Sequence, residues 1–338
     1  MIHIIFTGLS SGKTSIKRVV FDKIPPYEVE SNKLNKQTNH YYNSQVYSFG
    51  YCKLNITEFP SSFSLAKNSK EAENFLIKCD ILIFVVDYKK YNLSTKDQTD
   101  FFKNNILPII NKFKSISLYV FIHNIDNYNT NTILQSQYND EIQTSIIKTY
   151  SEYYKTTNSD EFKKKFFKTS IYNSTLYEAF SSILQNTLSS NKNLLILIDQ
   201  VCKNSYIDNG YLFDIKNKFC LAYYSELKKV NIFDICLNMI DFALEMSNIY
   251  EESDSKNDDN IKNDINVNDN FDEDLDYSLE MKNFKNGLPD SKSIVFFKYI
   301  YNNLALISII SKEKYEKKHL IEHNINILKK GIISIFSK

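Results

Sequence analysis

The strongest constraint on the fold is the alternation of short apolar runs with helical patterns in the first half of the chain. Three runs are apolar at most positions: IHIIFT near the start, CDILIFVVD (79–87) and SISLYVFIH (115–123). KKFFKTSI (164–171) contains a shorter apolar run. Segments with helical spacing follow them, at about 13–23, 95–114, 137–154 and 176–188. Strands that are apolar on both faces are typical of parallel sheets covered by helices. The pattern therefore predicts a doubly wound α/β domain.

The second part of the chain has a different pattern. An apolar helix precedes the hairpin GYLFDI–KNK–KFCLAYY, and a second apolar helix follows it. Two late strands, SIVFFKYI and LALISIIS, are joined by a YNN turn, and a last amphipathic helix begins near residue 313. Hairpins packed with helices predict a smaller α+β domain. We place the two domains at residues 1–190 and 191–338.

Residues 251–276 interrupt the second domain. They include eleven acidic residues and two lysines, with few apolar positions. Such a segment buries too little apolar surface to offset the entropy lost on ordering. We therefore predict a disordered acidic loop at 251–276.

Overall composition excludes several classes of partner. The chain has 41 basic and 40 acidic side chains, so no basic excess points to nucleic acid or to an anionic membrane. No apolar run approaches the roughly 18 residues of a membrane span. The five cysteines are scattered without a C-x-x-C pair, which favours reduced thiols over disulfides or zinc. We expect a cytoplasmic protein that neither binds nucleic acid nor inserts directly into a membrane.

The stretch GLSSGKTS directly follows the first predicted strand and opens the first predicted helix. It is close to the phosphate-binding pattern G-x-x-x-x-G-K-S/T, except that three residues, not four, separate its glycines. Either the loop is one residue shorter, or Thr7 takes the first glycine position; the ungapped register favours Thr7. The candidate phosphate-binding residues are Gly8, Ser10, Ser11, Gly12, Lys13, Thr14 and Ser15.

Each residue type in this loop suits phosphate chemistry. Backbone N–H groups at the helix start would hold the phosphates, Lys13 would neutralise the β and γ oxygens, and Thr14 would offer its hydroxyl to Mg²⁺. The alternative is a polar turn with an N-capping serine. The preceding strand and the α/β context favour phosphate binding.

A base-binding site is suggested by VFIHNID, which ends in Asp126 after a buried strand. A carboxylate at this place can accept hydrogen bonds from N1 and N2 of guanine, and adenine lacks that pair of donors. A capping or turn aspartate is the alternative. KTSIY (168–172) follows the next strand, where a loop backbone would contact the base. The candidate guanine-binding residues are His123, Asn124, Asp126, Thr169, Ser170 and Ile171.

The phosphate loop, VFIHNID and KTSIY resemble the corresponding stretches of the Rag-family GTPases of the C/D type, the Gtr proteins of fungi. The same resemblance extends to YLFDI, NMIDFALEMSNIY and LIEHNINILKKGIISIF. The resemblance runs from the N-terminus to the last helix, and it includes a histidine, His123, at the first position of the base motif. It implies a Ras-like GTPase domain followed by a roadblock/longin-type domain. It also implies GTP or GDP and Mg²⁺ as ligands.

The resemblance further implies partners. Rag GTPases of this type pair with an A/B-type Rag through the second domain. Such pairs are recruited to lysosomal or vacuolar membranes by a scaffold complex, and there they relay amino-acid status to the TOR kinase complex. Recruitment to the membrane surface would therefore come through partners.

The chain departs from the family pattern at residues 58–62. EFPSS stands where the family has D-F-P-G-Q, so Glu58 takes the position of the indirect Mg²⁺ contact and Ser61 takes that of a glycine. Ser62 occupies the water-orienting position, where its short side chain is a doubtful catalytic group. Asn124 replaces the lysine of the base motif. Ser31 and Thr38 are both candidates for the switch I threonine.

Three functions follow from these observations. The first is a guanine-nucleotide switch with weak intrinsic GTP hydrolysis, based on Lys13, Thr14 and Asp126. The second is a pseudo-GTPase, a scaffolding and dimerisation subunit that does not switch, based on the altered EFPSS segment. A P-loop kinase or ATPase is the weakest, since nothing in the sequence resembles a lid or a substrate site.

Overall fold

The structure is a computed structural model that describes residues 1–9, 11–31, 42–88, 95–125, 132–155, 160–225, 232–254, 276–281 and 293–336. The chain divides into two compact units, Met1–Ala179 and Phe180–Lys338. The predicted boundary between residues 190 and 191 falls later in the chain than this division, and it stays a prediction.

The first unit is built on a six-stranded sheet. The strand order is β2-β3-β1-β4-β5-β6, with β2 antiparallel to β3 and all other pairs parallel. The predicted α/β fold with helices at the crossovers is thus confirmed. The elements up to the division are β1 (Ile2–Thr7), α1 (Lys13–Val20), α2 (Pro26–Ser31), β2 (Asn43–Ser48), β3 (Lys53–Glu58), α3 (Leu65–Leu76), β4 (Ile81–Asp87), α4 (Thr95–Phe101), a π-helical turn (Phe102–Ile106), α5 (Leu107–Lys112), β5 (Ser117–His123), α6 (Thr132–Tyr154), α7 (Asp160–Lys163) and β6 (Phe166–Thr169). Helix α8 (Thr175–Thr187) continues past it.

Strand β4 carries the core of this unit. All seven of its residues are buried, because it lies between two parallel neighbours and has apolar side chains on both faces. Phe84, in its middle, is fully buried, and its ring centroid lies 6.0 Å from that of Phe101 and 5.3 Å from that of Phe102. The central strands of the sheet are therefore fixed by packing on both sides.

Several elements differ from the sequence-based expectations. Helix α1 ends at Val20, not near residue 23, because Lys23 adopts a left-handed φ of 57° and its Nζ donates to the Val20 carbonyl at 2.7 Å. The helix predicted at 95–114 contains a π-helical turn, in which the Asn105 amide donates to the Phe101 carbonyl at 3.3 Å. Strand β2 was not predicted, since only one of its six side chains is even partly buried.

The second unit contains a five-stranded antiparallel sheet in the order β8-β7-β11-β10-β9. The two predicted hairpins and the α+β character are confirmed. Its elements after α8 are α9 (Asn191–Asn204), β7 (Asn209–Asp214), β8 (Phe219–Ser225), α10 (Ile232–Asp254), β9 (Asp276–Met281), β10 (Ser293–Tyr301), β11 (Leu304–Ser311), α11 (Lys312–Tyr315) and α12 (Lys318–Phe336).

Helices α9 and α12 pack closely. A Cβ added at Gly331 in α12 would lie 2.6 Å from a methyl group of Leu197 in α9. The inner face of α12 repeats at helical spacing and consists of Ile321, Ile325, Leu328 and Ile332. Three apolar side chains on these two helices remain 40–57% exposed, namely Ile196, Leu320 and Ile327.

The ends of the predicted acidic loop are ordered secondary structure. Residues 251–254 complete α10, and Asp276 opens β9, which pairs with β10. The rest of that predicted loop, 255–275, lies outside the described residues. The predicted last helix is interrupted by a turn at 316–317. None of the helices in the described part of the chain is long and apolar enough to cross a bilayer.

Candidate functional site

The carboxyl ends of the parallel strands bring the candidate residues to one edge of the first sheet. Phe6 in β1 is in register with Glu58 in β3, and Asp87 at the end of β4 is in register with His123 in β5. His123 is in turn in register with Thr169 at the end of β6. Ligands of open α/β sheets bind at this edge. The three sequence stretches of the predicted nucleotide site therefore meet there.

Two glycines shape the phosphate loop between β1 and α1. Gly8 has a φ of 141°, and a Cβ there would lie 2.2 Å from the Val85 carbonyl oxygen of β4. Gly12 has a φ of 81°, and its Cβ would lie 2.8 Å from Cδ2 of His123. Side chains are excluded at both positions by backbone conformation and by space. The loop therefore lies directly on the ends of β4 and β5.

Lys13, the first residue of α1, points back into this loop. Its side chain is only 3% exposed, and its Nζ donates to the Gly8 carbonyl. Nζ also lies 3.4 Å from Oγ of Ser61, which follows β3. The ammonium of Lys13 is therefore buried within the phosphate loop, at the place where it could neutralise a bound phosphate.

A buried hydroxyl in the loop gives a second test of phosphate binding. Ser11 is 1% exposed, and its Oγ has no hydrogen-bond partner among the described residues. The Oγ1 of Thr7 is also buried without a hydrogen-bond partner among the described residues. Buried hydroxyls are costly when unsatisfied. The Ser11 hydroxyl can donate to a phosphate oxygen, so the loop fits a polyphosphate.

Thr14 and Glu58 form the part of the site that suits a metal ion. The Thr14 hydroxyl donates to Oε1 of Glu58, and Thr14 is exposed to solvent. A hydroxyl that donates to a carboxylate still has lone pairs for a cation. No group of three or more His, Cys, Asp or Glu residues gathers as a metal cage in the described ranges. Mg²⁺ fits such a sparse oxygen site, since it keeps water and phosphate oxygens as its other ligands.

The predicted base-binding residues that the structure describes lie at the ends of β5 and β6 and in the loops that follow them. His123 is fully buried, and its Nδ1 lies 3.1 Å from Oγ1 of Thr169. The Ser170 N–H donates to Oγ1 of Thr175 at 2.9 Å, which attaches the loop after β6 to the start of α8. Asn124 follows with a left-handed φ of 65°. These contacts hold the β5 and β6 loops in one arrangement.

The remaining candidates are placed as follows. Ser15 and Ile171 are buried, at 5% and 4% exposure, and Ser62 is exposed in the turn after β3. Ser31 ends α2, where its hydroxyl donates to the Glu28 carbonyl at 3.0 Å. Three candidates lie outside the described residues: Ser10, Thr38 and Asp126.

Asp87 is a residue at this edge that the sequence reasoning missed. It is 5% exposed, ends β4 and faces His123 in register. The sequence pattern that could have identified Asp87 is an acidic residue at the end of an otherwise apolar strand. The sequence shows Ser61 only as the replacement of a glycine, and it does not predict that Ser61 approaches Lys13.

The buried cysteines Cys79 and Cys202 are not reactive thiols. All five are free thiols. Burial, with a smaller effect of Asp80, raises the pKa of the Cys79 thiol to about 12. Burial, with a smaller effect of Asp199, raises the pKa of Cys202 to about 12 as well. These thiols stay protonated at neutral pH and are poor nucleophiles.

Comparison with known proteins agrees with this geometry. The family model described as Gtr1/RagA G protein conserved region matches residues 3–240. The GTP-binding protein gtr2 of Schizosaccharomyces pombe is 28% identical, over 99% of this chain and 98% of its own length. The Ras-related GTP-binding protein D of Mus musculus is 26% identical, over 99% of this chain and 68% of its own. The Ras-related GTP-binding protein C of Homo sapiens is 24% identical, over 99% and 76%.

Proposed function

Because this chain belongs to the Gtr1/RagA G-protein family, as a Rag GTPase of the C/D type, we propose that its first unit binds GTP and GDP with Mg²⁺. The observation that carries the proposal is the buried Lys13 ammonium, folded into a glycine loop at the head of α1. The relatives are named as GTP-binding proteins. The parallel sheet with this loop fits a Ras-like domain, and the antiparallel sheet fits a roadblock-like domain.

In the proposed complex each side chain has one task. Lys13 neutralises the β and γ phosphates, and the Ser11 hydroxyl and the loop N–H groups donate to phosphate oxygens. Thr14 would hold Mg²⁺, oriented by Glu58, and the metal when bound offsets phosphate charge. His123, Asn124 and Asp126, with the Thr169–Ile171 loop, would recognise guanine.

Turnover is expected to be weak. Ser62 is exposed at the position where a longer amide side chain would orient the attacking water, and its hydroxyl is too short to replace that amide. The alternative function is a pseudo-GTPase that acts as a scaffold without switching. It is favoured by the same altered segment, Glu58 to Ser62.

We expect purified chain to carry guanine nucleotide and to hydrolyse GTP slowly. Nucleotide released by denaturation and separated by ion-exchange chromatography should be GDP or GTP, and ATP should not compete for the site. Single-turnover hydrolysis of GTP should be detectable but slow. GTP that stays intact would favour the pseudo-GTPase. A chain with no affinity for any guanine nucleotide would contradict the proposed site.

Rag-family members work as heterodimers with partner GTPases, and we propose that this chain pairs with an A/B-type Rag through residues after 190. The exposed apolar side chains on α9 and α12 support this, because they offer surface that a partner can bury. The pair would be recruited by a scaffold complex to lysosomal or vacuolar membranes and would relay amino-acid status to the TOR kinase complex. Those partners and that location rest on the family resemblance.

We expect Ile327→Asp to weaken heterodimer formation by about tenfold or more, the effect of placing a charge in an apolar interface core. Ile327 is 48% exposed, so the variant should fold. The full-length chain would be co-purified with an A/B-type Rag, and the affinity measured by sedimentation. Ile77→Asp, at a 68% exposed position in the first unit, is the matched control. Equal weakening by both variants, or wild type that stays monomeric, would contradict the proposal.

A further inference from the structure

The turn after β3 is anchored at both ends. The Phe59 N–H donates to the Phe6 carbonyl at 2.9 Å, and the Phe63 N–H donates to the Pro60 carbonyl at 3.0 Å, which closes a four-residue turn. Phe59 and Phe63 are 0% and 3% exposed, and their ring centroids lie 4.8 Å apart. Two buried rings thus fix the turn, with Ser61 and Ser62 at its centre. Moving the turn requires work against this packing.

The turn reaches the phosphate loop through one side chain. Oγ of Ser61 lies 3.4 Å from Nζ of Lys13, which also donates to the carbonyl of Gly8 in the phosphate loop itself. A lysine ammonium has three N–H donors and no acceptor. One of them therefore points to the turn. Any phosphate oxygen that uses this donor must displace the Ser61 hydroxyl.

We propose that Ser61 is a specificity-determining residue: by holding the turn on Lys13, it makes the site prefer a nucleoside diphosphate to the triphosphate. This inference rests on the proposed nucleotide function. The loop lysine of such sites reaches both the β and the γ phosphates. The terminal phosphate of a triphosphate adds oxygens that compete with Ser61 for the Lys13 ammonium. A diphosphate lacks these oxygens, and it can be held by the loop N–H groups and by the other N–H donors of Lys13.

The conformation of the turn agrees with this role. Ser61 does not have a positive φ, so a serine adopts this turn without a left-handed backbone. The buried rings of Phe59 and Phe63 hold the turn beside Lys13. The Ser61 hydroxyl then competes with the terminal phosphate for the Lys13 ammonium. Removing the hydroxyl should therefore tighten binding of the triphosphate and leave binding of the diphosphate unchanged.

The test compares affinities for GDP and for the non-hydrolysable β,γ-imido analogue of GTP, in the full-length chain with Mg²⁺. Ser61→Ala removes only the hydroxyl, and Ser61→Gly also removes Cβ, so either variant serves if the other folds poorly. Ser115→Gly, at an exposed serine just before β5, is the matched control. Calorimetry or competition with a fluorescent guanine nucleotide gives both affinities.

We expect wild type to bind GDP more tightly than the analogue. Ser61→Ala should tighten binding of the analogue by about tenfold, the size of one hydrogen bond to a charged group, with GDP affinity unchanged. Unchanged affinities, or weaker binding of the analogue, would overturn the role of Ser61 and leave the nucleotide site intact. Wild type that binds neither nucleotide would overturn the proposed function as well.

Discussion

Lys13→Met is expected to lower the affinity for GDP by about a hundredfold or more. The buried ammonium is the group that would neutralise the phosphates, and loss of one member of a buried charge pair costs about 2–5 kcal/mol. Methionine has a similar length and no charge. It fits the buried position and removes the cost of burying an ammonium, so the variant should keep its fold.

The measurement is GDP titration of the full-length variant by calorimetry, with the melting temperature recorded in the absence of nucleotide. Lys53→Met, at the exposed amino end of β3, is the control for loss of a positive charge from the same unit. It should bind GDP as wild type does. A Lys13→Met protein with wild-type affinity would remove the main support for the phosphate site.

Phe84→Ala is expected to lower the free energy of unfolding of the first unit by about 3–5 kcal/mol, the range for a fully buried phenylalanine. The ring is 0% exposed and packs on Phe101 and Phe102 from the central strand. Its removal leaves a cavity that two parallel neighbours prevent from closing.

Urea denaturation without added nucleotide is the appropriate measurement, because a bound ligand would add its own stabilisation. Phe84 lies in the first of the two compact units, so the loss is measured on the transition assigned to that unit. Ile77→Ala, at a 68% exposed position, should change the stability by about 0.5 kcal/mol or less. A loss below about 1 kcal/mol for Phe84→Ala would contradict the packing described for β4.

The central strands could be predicted from the sequence because burial on both faces leaves a continuous apolar run. β4 and β5 show this directly. β2 could not be predicted, since it lies at the edge of the sheet with nearly all side chains exposed. The end of α1 depends on the left-handed backbone of Lys23, which no periodicity reveals.

The candidate site likewise has parts that the sequence predicts and parts that it does not. The phosphate loop is local, so the strand–glycine–lysine–helix order predicted it. The approach of Lys13 to Ser61 joins residues 48 positions apart, and no spacing rule encodes it. Asp87 ends an apolar run, and only the register of β4 with β5 places it opposite His123.

The contact of Gly12 with the His123 ring has a consequence for how this protein can vary. A Cβ at position 12 would lie 2.8 Å from that ring, so the two positions share one small volume. Substitutions at such a pair are not additive. A smaller residue at 123 would relieve the crowding at 12 but not the left-handed φ of 81°, so position 12 still needs glycine. The missing side chain at 12 thus sets how closely the phosphate loop can lie on the start of the base motif.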